Sequence, residues 1–191
     1  MRPRYLILLA FLTVLSAPGF AQLIELGGFG SFGRFDIPPF PNDAVGLGAR
    51  IDLGLGHHIA LEAEGSYDLK HPTVQIVSNG VGFNVTQLRL GIIHANGGVK
   101  LHTKGGSYFI FLKGGILNFL PDIRTTTLIG TIQGSVPSSG TAFSEAVFYP
   151  GGGINFHAGI LGIRVDAGDE IYWDVGTHHN LRVTFGPTIR F

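Results

Sequence analysis

Apolar and polar residues alternate along most of the chain beyond its first 21 residues. The end of the chain shows this best, because Leu181, Val183, Phe185, Pro187, Ile189 and Phe191 alternate with polar or small residues. Successive side chains of a β-strand point to opposite faces, so this period of two predicts strands with one apolar face. We predict eight strands, at about 23–35, 44–54, 59–69, 86–102, 107–119, 146–157, 162–175 and 180–191.

The first 21 residues have the layout of a secretory signal peptide. Arg2 and Arg4 precede the apolar run "YLILLAFLTVL", and Gly19 and Ala21 occupy the −3 and −1 positions of a cleavage site. The alternative is an uncleaved anchor, but the run is shorter than the roughly 20 residues of a membrane helix. We predict a signal peptide at 1–21 and an outer-membrane β-barrel domain at 22–191. Cleavage would leave a net charge of −2 with His neutral.

Composition favours a membrane location for these strands. Charged residues make up 14% of the chain, against about 25% in soluble domains. No apolar run beyond the signal peptide has the length of a membrane helix. A closed barrel satisfies its backbone hydrogen bonds between strands and can therefore cross a bilayer. The predicted fold is all-β, an eight-stranded antiparallel up-and-down transmembrane barrel. The absence of Cys excludes disulfides and thiol catalysis.

The predicted connections mostly alternate between long and short. Long loops fall at 36–43, 71–83 and 120–145, which is typical of an outer-membrane barrel with longer extracellular loops. The connection "GTHHN" is shorter than this pattern predicts. Two strand registers are irregular. The apolar phase of the fourth strand flips at Ile92–Ile93, which predicts a β-bulge there, and Asp169 has the parity of apolar Ala167.

Charged residues on the polar strand faces form the main candidate site. They are nearly balanced in sign, which suits a closed interior where charges pair, and a Lys or Arg facing lipid at mid-membrane would cost about 2–4 kcal/mol. We interpret them as a structural network that plugs the lumen, and the alternative is the gate of a small pore. The set comprises Arg50, Asp52, Glu62, Glu64, Arg89, Arg164, Asp166, Glu170 and Arg182.

The C-terminal strand resembles that of the eight-stranded bacterial outer-membrane barrels, the family that includes the transmembrane domain of outer membrane protein A and the opacity proteins. In that family the last strand ends in Phe, and the barrel-assembly machinery reads it as an insertion signal. The resemblance implies this role for Phe185, Ile189 and Phe191. Pro187 departs from the pattern because it removes one ladder donor. The resemblance also implies a location in the bacterial outer membrane.

No catalytic or metal-binding pattern stands out. The pairs His57–His58 and His178–His179 are predicted to be loop residues, and the His-x-Ser arrangement of lipid A deacylases is missing. An aromatic girdle at the membrane interface is expected to contain Tyr108, Tyr149, Trp173, Phe185 and Phe191, and the alternative is that they are ordinary core aromatics. We therefore predict neither an enzyme nor a cofactor.

The predicted function is a structural or surface-interaction role in the outer membrane. The expected partners are the lipid bilayer, the assembly machinery and a surface partner at 71–83 and 120–145. Nucleic acid is not expected, since the chain has no basic excess. Two alternatives remain, a small passive pore and a soluble lipocalin-like carrier of apolar ligands.

Overall fold

The computed structural model describes residues 24–35, 43–78, 83–129, 132–139, 142–173 and 176–191. The predicted signal peptide at 1–21 and most of the predicted loop at 36–43 lie outside these residues. Within the described part, no helix is long and apolar enough to cross a membrane.

Nine antiparallel strands make up the described chain, and eight of them close into a barrel. The barrel order is β4-β3-β2-β1-β9-β8-β7-β5, and pairing of β5 with β4 completes the ring, while β6 pairs with β5 alone. The prediction of an eight-stranded antiparallel barrel is confirmed. The strands are β1 Ile24–Arg34, β2 Asp43–Gly54, β3 Ile59–Ser78, β4 Phe83–His102, β5 Tyr108–Ile129, β6 Ile132–Ser139, β7 Phe143–Ala158, β8 Leu161–Trp173 and β9 Thr177–Arg190.

The outward faces of the barrel strands carry an apolar belt. Leu47, Ile110 and Phe185 are 70%, 62% and 58% exposed, whereas most of the buried side chains are polar or charged. The belt runs on β3 from Ile59 to Leu69, and ten residues of a tilted strand span about 25 Å. That height matches the hydrocarbon core of a membrane. The arrangement is the reverse of a soluble carrier, whose interior is apolar.

The predicted loops at 71–83 and 120–145 are mostly strand, which corrects the sequence interpretation. β3 continues to Ser78, β4 begins at Phe83, β5 reaches Ile129, and β6 adds a strand that was not predicted. Thr, Val and Ile favour strands there, but these segments have no single apolar face that would have revealed them. We call the four-stranded segment formed by 71–78, 83–91, 120–129 and β6 the external sheet.

The strand irregularity lies in β3 and not in β4, so the predicted bulge at Ile92–Ile93 is wrong. The register of β4 against β5 is unbroken from Phe83 to His102. The register against β3 shifts between Asp68 and His71 instead. The inward residues of β4 change from polar to apolar along one unbroken face. The sequence pattern therefore resembled a change of phase.

Candidate functional site

The inward side chains of the barrel form two zones, one above the other. A charged zone fills the half towards the short turns that join β2 to β3, β4 to β5 and β7 to β8. An apolar zone fills the half towards the external sheet. The apolar zone comprises Phe35, Ala44, Leu90, Ile92, Leu117, Phe119, Val147 and Tyr172.

Two arginines from the last two strands hold the centre of the charged zone. Arg164 donates to Glu62 Oε1 at 3.0 Å and to Asp166 Oδ2 at 2.9 Å. Arg182 donates to Glu64 Oε1 at 2.8 Å and to Glu170 Oε1 at 3.1 Å. Both arginines are at most 1% exposed. Glu62 and Glu64 lie on β3, so these two contacts cross the lumen, whereas Asp166 and Glu170 lie on β8 and bind along the same wall.

Three further cations complete the pairing of the central carboxylates. Lys113 Nζ lies 2.5 Å from Glu62 Oε1 and 2.6 Å from Glu64 Oε2. Lys100 pairs with Asp52, and Arg50 pairs with Asp166 at 2.5 Å. Charges buried in this way are tolerated only when they are paired and hydrogen-bonded. The described lumen therefore holds a tightly linked network of acids and bases.

Aromatic rings lie between the barrel wall and several of these cations. Phe29 faces Gly48 directly across β1 and β2, and Phe111 faces Gly151 across β5 and β7. A Cβ on Gly48 would lie 2.4 Å from the Phe29 ring, and one on Gly151 would lie 2.3 Å from the Phe111 ring. The glycines thus leave room for rings that lie flat against the wall.

The inner faces of these rings carry the cations. The Arg50 guanidinium lies 4.2 Å from the centroid of Phe29, and Lys113 Nζ lies 4.1 Å from that of Phe111. Arg164 is placed in the same way over Phe109, at 4.3 Å. A cation is attracted to the face of an aromatic ring. The glycines therefore leave room for aromatic rings, and these rings lie between the barrel wall and the cations of the ion network.

His94 marks the boundary between the charged and apolar zones. Its Nε2 lies 2.9 Å from Asp68 Oδ2 and its Nδ1 lies 3.1 Å from Glu170 Oε1. Both partners are carboxylates, so both ring nitrogens act as donors only when the ring is the imidazolium cation. The Phe35 ring of the apolar zone lies 6.2 Å from the imidazole.

A cavity of about 340 Å³ opens at the end of the barrel with the short turns. Glu25 is bound there by Asn155 Nδ2 at 2.9 Å and by Arg190 at 3.0 Å. Lys100, His57 and His102 also line it. Across the described ranges, no group of three or more His, Asp or Glu side chains could hold a metal ion.

Eight of the nine charged residues singled out from the sequence lie in the charged zone, and Arg89 lies apart. Arg89 is half-buried, has the strand parity of exposed Ile93, and stands opposite Asp122 in the register. The residues missed by the sequence interpretation include Lys100, Lys113, Asp68 and His94. The sequence did contain a sign that Lys113 faces the lumen, because it is the one charged residue in the apolar strand "SYFIFLKGGILNF".

Several other predicted placements need correction. Tyr149 is fully buried in the lumen and not in an interface girdle, because Gly168 on the neighbouring strand β8 leaves space for its ring. His178 and His179 lie in β9 and not in a loop. Asp169 does face outward, as its parity indicated, and its Oδ2 lies 2.6 Å from His179 Nδ1. Trp173 and Tyr108 are exposed on the outer wall.

Solved structures with this architecture come from bacterial outer membranes. Ail, the attachment invasion locus protein of Yersinia pestis, aligns in complex with the heparin analogue sucrose octasulfate, with a TM-score of 0.53 and 10% identity over 89% of this chain and 97% of that chain. Ail without the analogue gives a TM-score of 0.51 at the same identity and coverage. The chain has the fold of an outer-membrane barrel.

A third solved structure, neisserial surface protein A, aligns over 88% of this chain and 97% of its own at 9% identity and a TM-score of 0.49. No family model matches the sequence, and no curated protein matches it. The likeness to outer-membrane barrels is therefore one of fold. In outer-membrane barrels the short turns face the periplasm; in this chain the cavity lies at the end with the short turns, and the external sheet lies at the opposite end.

Proposed function

We propose that this outer-membrane barrel is closed to ions and acts through its external sheet, which binds an extended segment of another polypeptide. The observation that carries the proposal is that β3, β4, β5 and β6 continue beyond the level where the barrel is closed. The last pair of β2 with β3 is Gly46 with Asp68, and the last pair of β5 with β7 is Phe119 with Phe143.

The pairing of charges in the lumen supports this role, because a barrel whose interior is filled by side chains would act at its surface. Arg164, Arg182 and Lys113 each contact two or more carboxylates, so these charges are engaged with one another. The apolar zone covers the extracellular half of the lumen. An eight-stranded interior is only wide enough for side chains to fill it. The function is therefore sought on the surface.

The external sheet offers backbone hydrogen bonds at its edges. β6 ends the strand order and pairs with β5 alone among the described strands. Among the described residues, β3 pairs with β2 only as far as Asp68, so within this part of the chain its continuation to Ser78 forms a second edge. Unpaired edge groups of a sheet bind an added strand through main-chain hydrogen bonds. Both edges lie on the extracellular side.

The composition of the external sheet favours a polypeptide over a polyanion. Its charged residues are Arg89, Asp122 and Arg124, which is little positive charge for a sulfated sugar such as the heparin analogue found with Ail. The remainder is rich in Thr, Ser, Val and Ile, residues that pair well across strands. Affinity would therefore come from backbone pairing.

The test is peptide selection on the folded barrel. Extended twelve-residue peptides from a displayed library are selected against the wild-type protein, and their affinity is measured again on Gln133→Pro and Gly134→Pro. Consecutive N–H groups of a strand point to opposite sides. One substitution therefore removes a donor from the open edge of β6, and the other disturbs its pairing with β5.

Both variants should weaken the binding of the selected peptides by about ten-fold or more. One proline removes a backbone donor from the open edge of β6, and the other disturbs the pairing of β6 with β5 and so moves that edge. Arg89→Gln is the matched control and should leave binding unchanged, since charge is not the source of affinity. Selected peptides that bind both proline variants as tightly as the wild type would overturn the proposal.

The chain end supports a role as an insertion signal, and cleavage after Ala21 is part of the same proposal of export. Phe185 and Ile189 are 58% and 41% exposed on the outward face of β9, and Phe191 is 59% exposed. The barrel-assembly machinery could contact these three side chains before the barrel closes. Deleting Phe191 should lower the amount of protein recovered from outer membranes, whereas Phe32→Leu on the same outer wall should not.

A further inference from the structure

The strongest unassigned feature is the pair of bonds made by His94. The ring is completely buried, and its two nitrogens bind carboxylates from different strands, Asp68 of β3 and Glu170 of β8. Glu170 lies across the lumen from β3. His94 thus links one wall of the barrel to the other at the boundary with the apolar zone.

Neighbouring groups fix both carboxylates in place. Ser31 of β1 donates to Asp68 Oδ1 at 3.0 Å. Arg182 of β9 and Asn96 of β4 donate to Glu170 Oε1, at 3.1 Å and 3.3 Å. A Cβ on Gly46 of β2 would lie 2.1 Å from Asp68 Oδ1, so the glycine leaves room for this carboxylate. Six strands, β1 to β4 with β8 and β9, therefore contribute to one linkage.

The remaining elements around His94 add few charges. On β5, Leu117 stands directly opposite His94 and is fully buried. On β7, Glu145 stands opposite Leu117 and is partly exposed. Among the described residues, the charged groups that contact the ring or its partners are thus Asp68, Glu170 and Arg182, and Glu145 lies two strands away on β7.

The linkage lies where the external sheet leaves the closed barrel. Asp68 is the last residue of β3 that pairs with β2, and the register of β3 shifts immediately after it. Beyond this level β3 has β4 as its described neighbour. We propose that doubly protonated His94 is a latch that fastens the base of the β3–β4 extension to the barrel, and that loss of one ring proton releases it.

Release follows from the number of donors. A neutral imidazole keeps one N–H, so one of its two nitrogens would face a carboxylate oxygen without a proton between them. The negative charges of Asp68 and Glu170 would then be balanced by one positive charge fewer. Regulation of binding by this latch rests on the proposed role of the external sheet, but the latch itself does not.

The experiment measures amide hydrogen exchange of the full protein in lipid bilayers from neutral to alkaline pH, with each rate normalised to its intrinsic value. In the wild type, exchange at 71–78 and 83–91 should rise about ten-fold once the His94 ring titrates, which nitrogen chemical shifts of the ring report directly. Exchange at 59–65 should stay constant. His94→Gln should show the fast exchange already at neutral pH, with no further change.

His179→Gln is the matched control, because His179 also pairs with an aspartate but lies exposed on the outer wall. It should behave as the wild type does. If His94→Gln does not fold, Asp68→Asn and the wild-type titration still decide the question. The latch would be overturned if the wild-type exchange rates at 71–78 and 83–91 did not change when His94 titrates. Peptides that bind the proline variants as tightly as the wild type would overturn the proposed function and leave the latch untouched, so the two failures are distinguishable.

Discussion

At the level of single residues, the lumen depends on glycines that no periodic pattern reveals as important. Gly48 and Gly151 each accept an aromatic ring, and that ring in turn carries a cation of the ion network. The sequence predicted the acids and arginines because they occupy polar strand faces. It did not predict the role of Phe29 or Phe111, since an inward aromatic looks the same in a sequence as a lipid-facing one.

Gly151→Ala should therefore destabilise the barrel by about 1–3 kcal/mol, because the new methyl group would force the Phe111 ring and Lys113 out of place. The measurement is the free energy of unfolding in urea in the presence of lipid. Gly97→Ala is the matched control, since its Cβ would meet Glu62 O at an ordinary 3.7 Å. Equal stability of the two variants would show that the ring has room to move.

Arg164→Met should cost about 3–5 kcal/mol, because it leaves Glu62, Asp52 and Asp166 with an uncompensated buried charge. Adding Glu62→Gln to this variant should recover part of the loss, as it removes one of those charges. Asp169→Asn breaks the exposed pair with His179 and should change stability by less than about 1 kcal/mol. A loss for Arg164→Met as small as that of the exposed pair would contradict a buried network.

At the level of strands, the sequence predicted those that separate polar from apolar faces and missed those that do not. The strands at 44–54 and 162–175 were placed to within about two residues of β2 and β8 because their two faces differ strongly. β6 and the extensions of β3 to β5 have small polar and branched residues on both faces. Their pairing depends on neighbours distant in the sequence, so no local period could reveal them.

Deleting residues 122–143 should leave the barrel folded. Asn118 and Ser144 pair directly on β5 and β7, so residues 119–121 would form a three-residue connection between them, a common length for a hairpin. Retention of heat-modifiable gel mobility and of strand content by circular dichroism would agree with this. Loss of the folded form would show that the external sheet is needed to build the barrel.

At the level of the whole molecule, ionic and apolar layers are stacked along one axis. Most charged side chains of the network are at most 6% exposed, and the apolar zone separates them from the extracellular side. Ions would have to break buried pairs and then cross an apolar region. A water-filled path would need both layers to rearrange.

Purified wild-type protein reconstituted in planar bilayers should therefore show no steady conductance at neutral pH. Folded protein is confirmed on the same sample by its mobility without boiling. Removing bulk from the apolar zone with the double variant Phe119→Ala and Leu117→Ala should at most produce brief openings, because the ionic layer remains. Steady currents in the wild type that change with Glu62→Gln would instead identify a pore.

The separation of the paired charges along the chain has a consequence for assembly. Arg164 and Arg182 come from the last two strands, whereas Glu62 and Glu64 lie 102 and 118 residues earlier. An intermediate with six strands in the bilayer would hold these glutamates without two of their cations, at a cost of several kcal/mol for each unpaired ion. Half-inserted forms are thereby disfavoured. Insertion and ring closure become a single cooperative event, completed when the final two strands arrive.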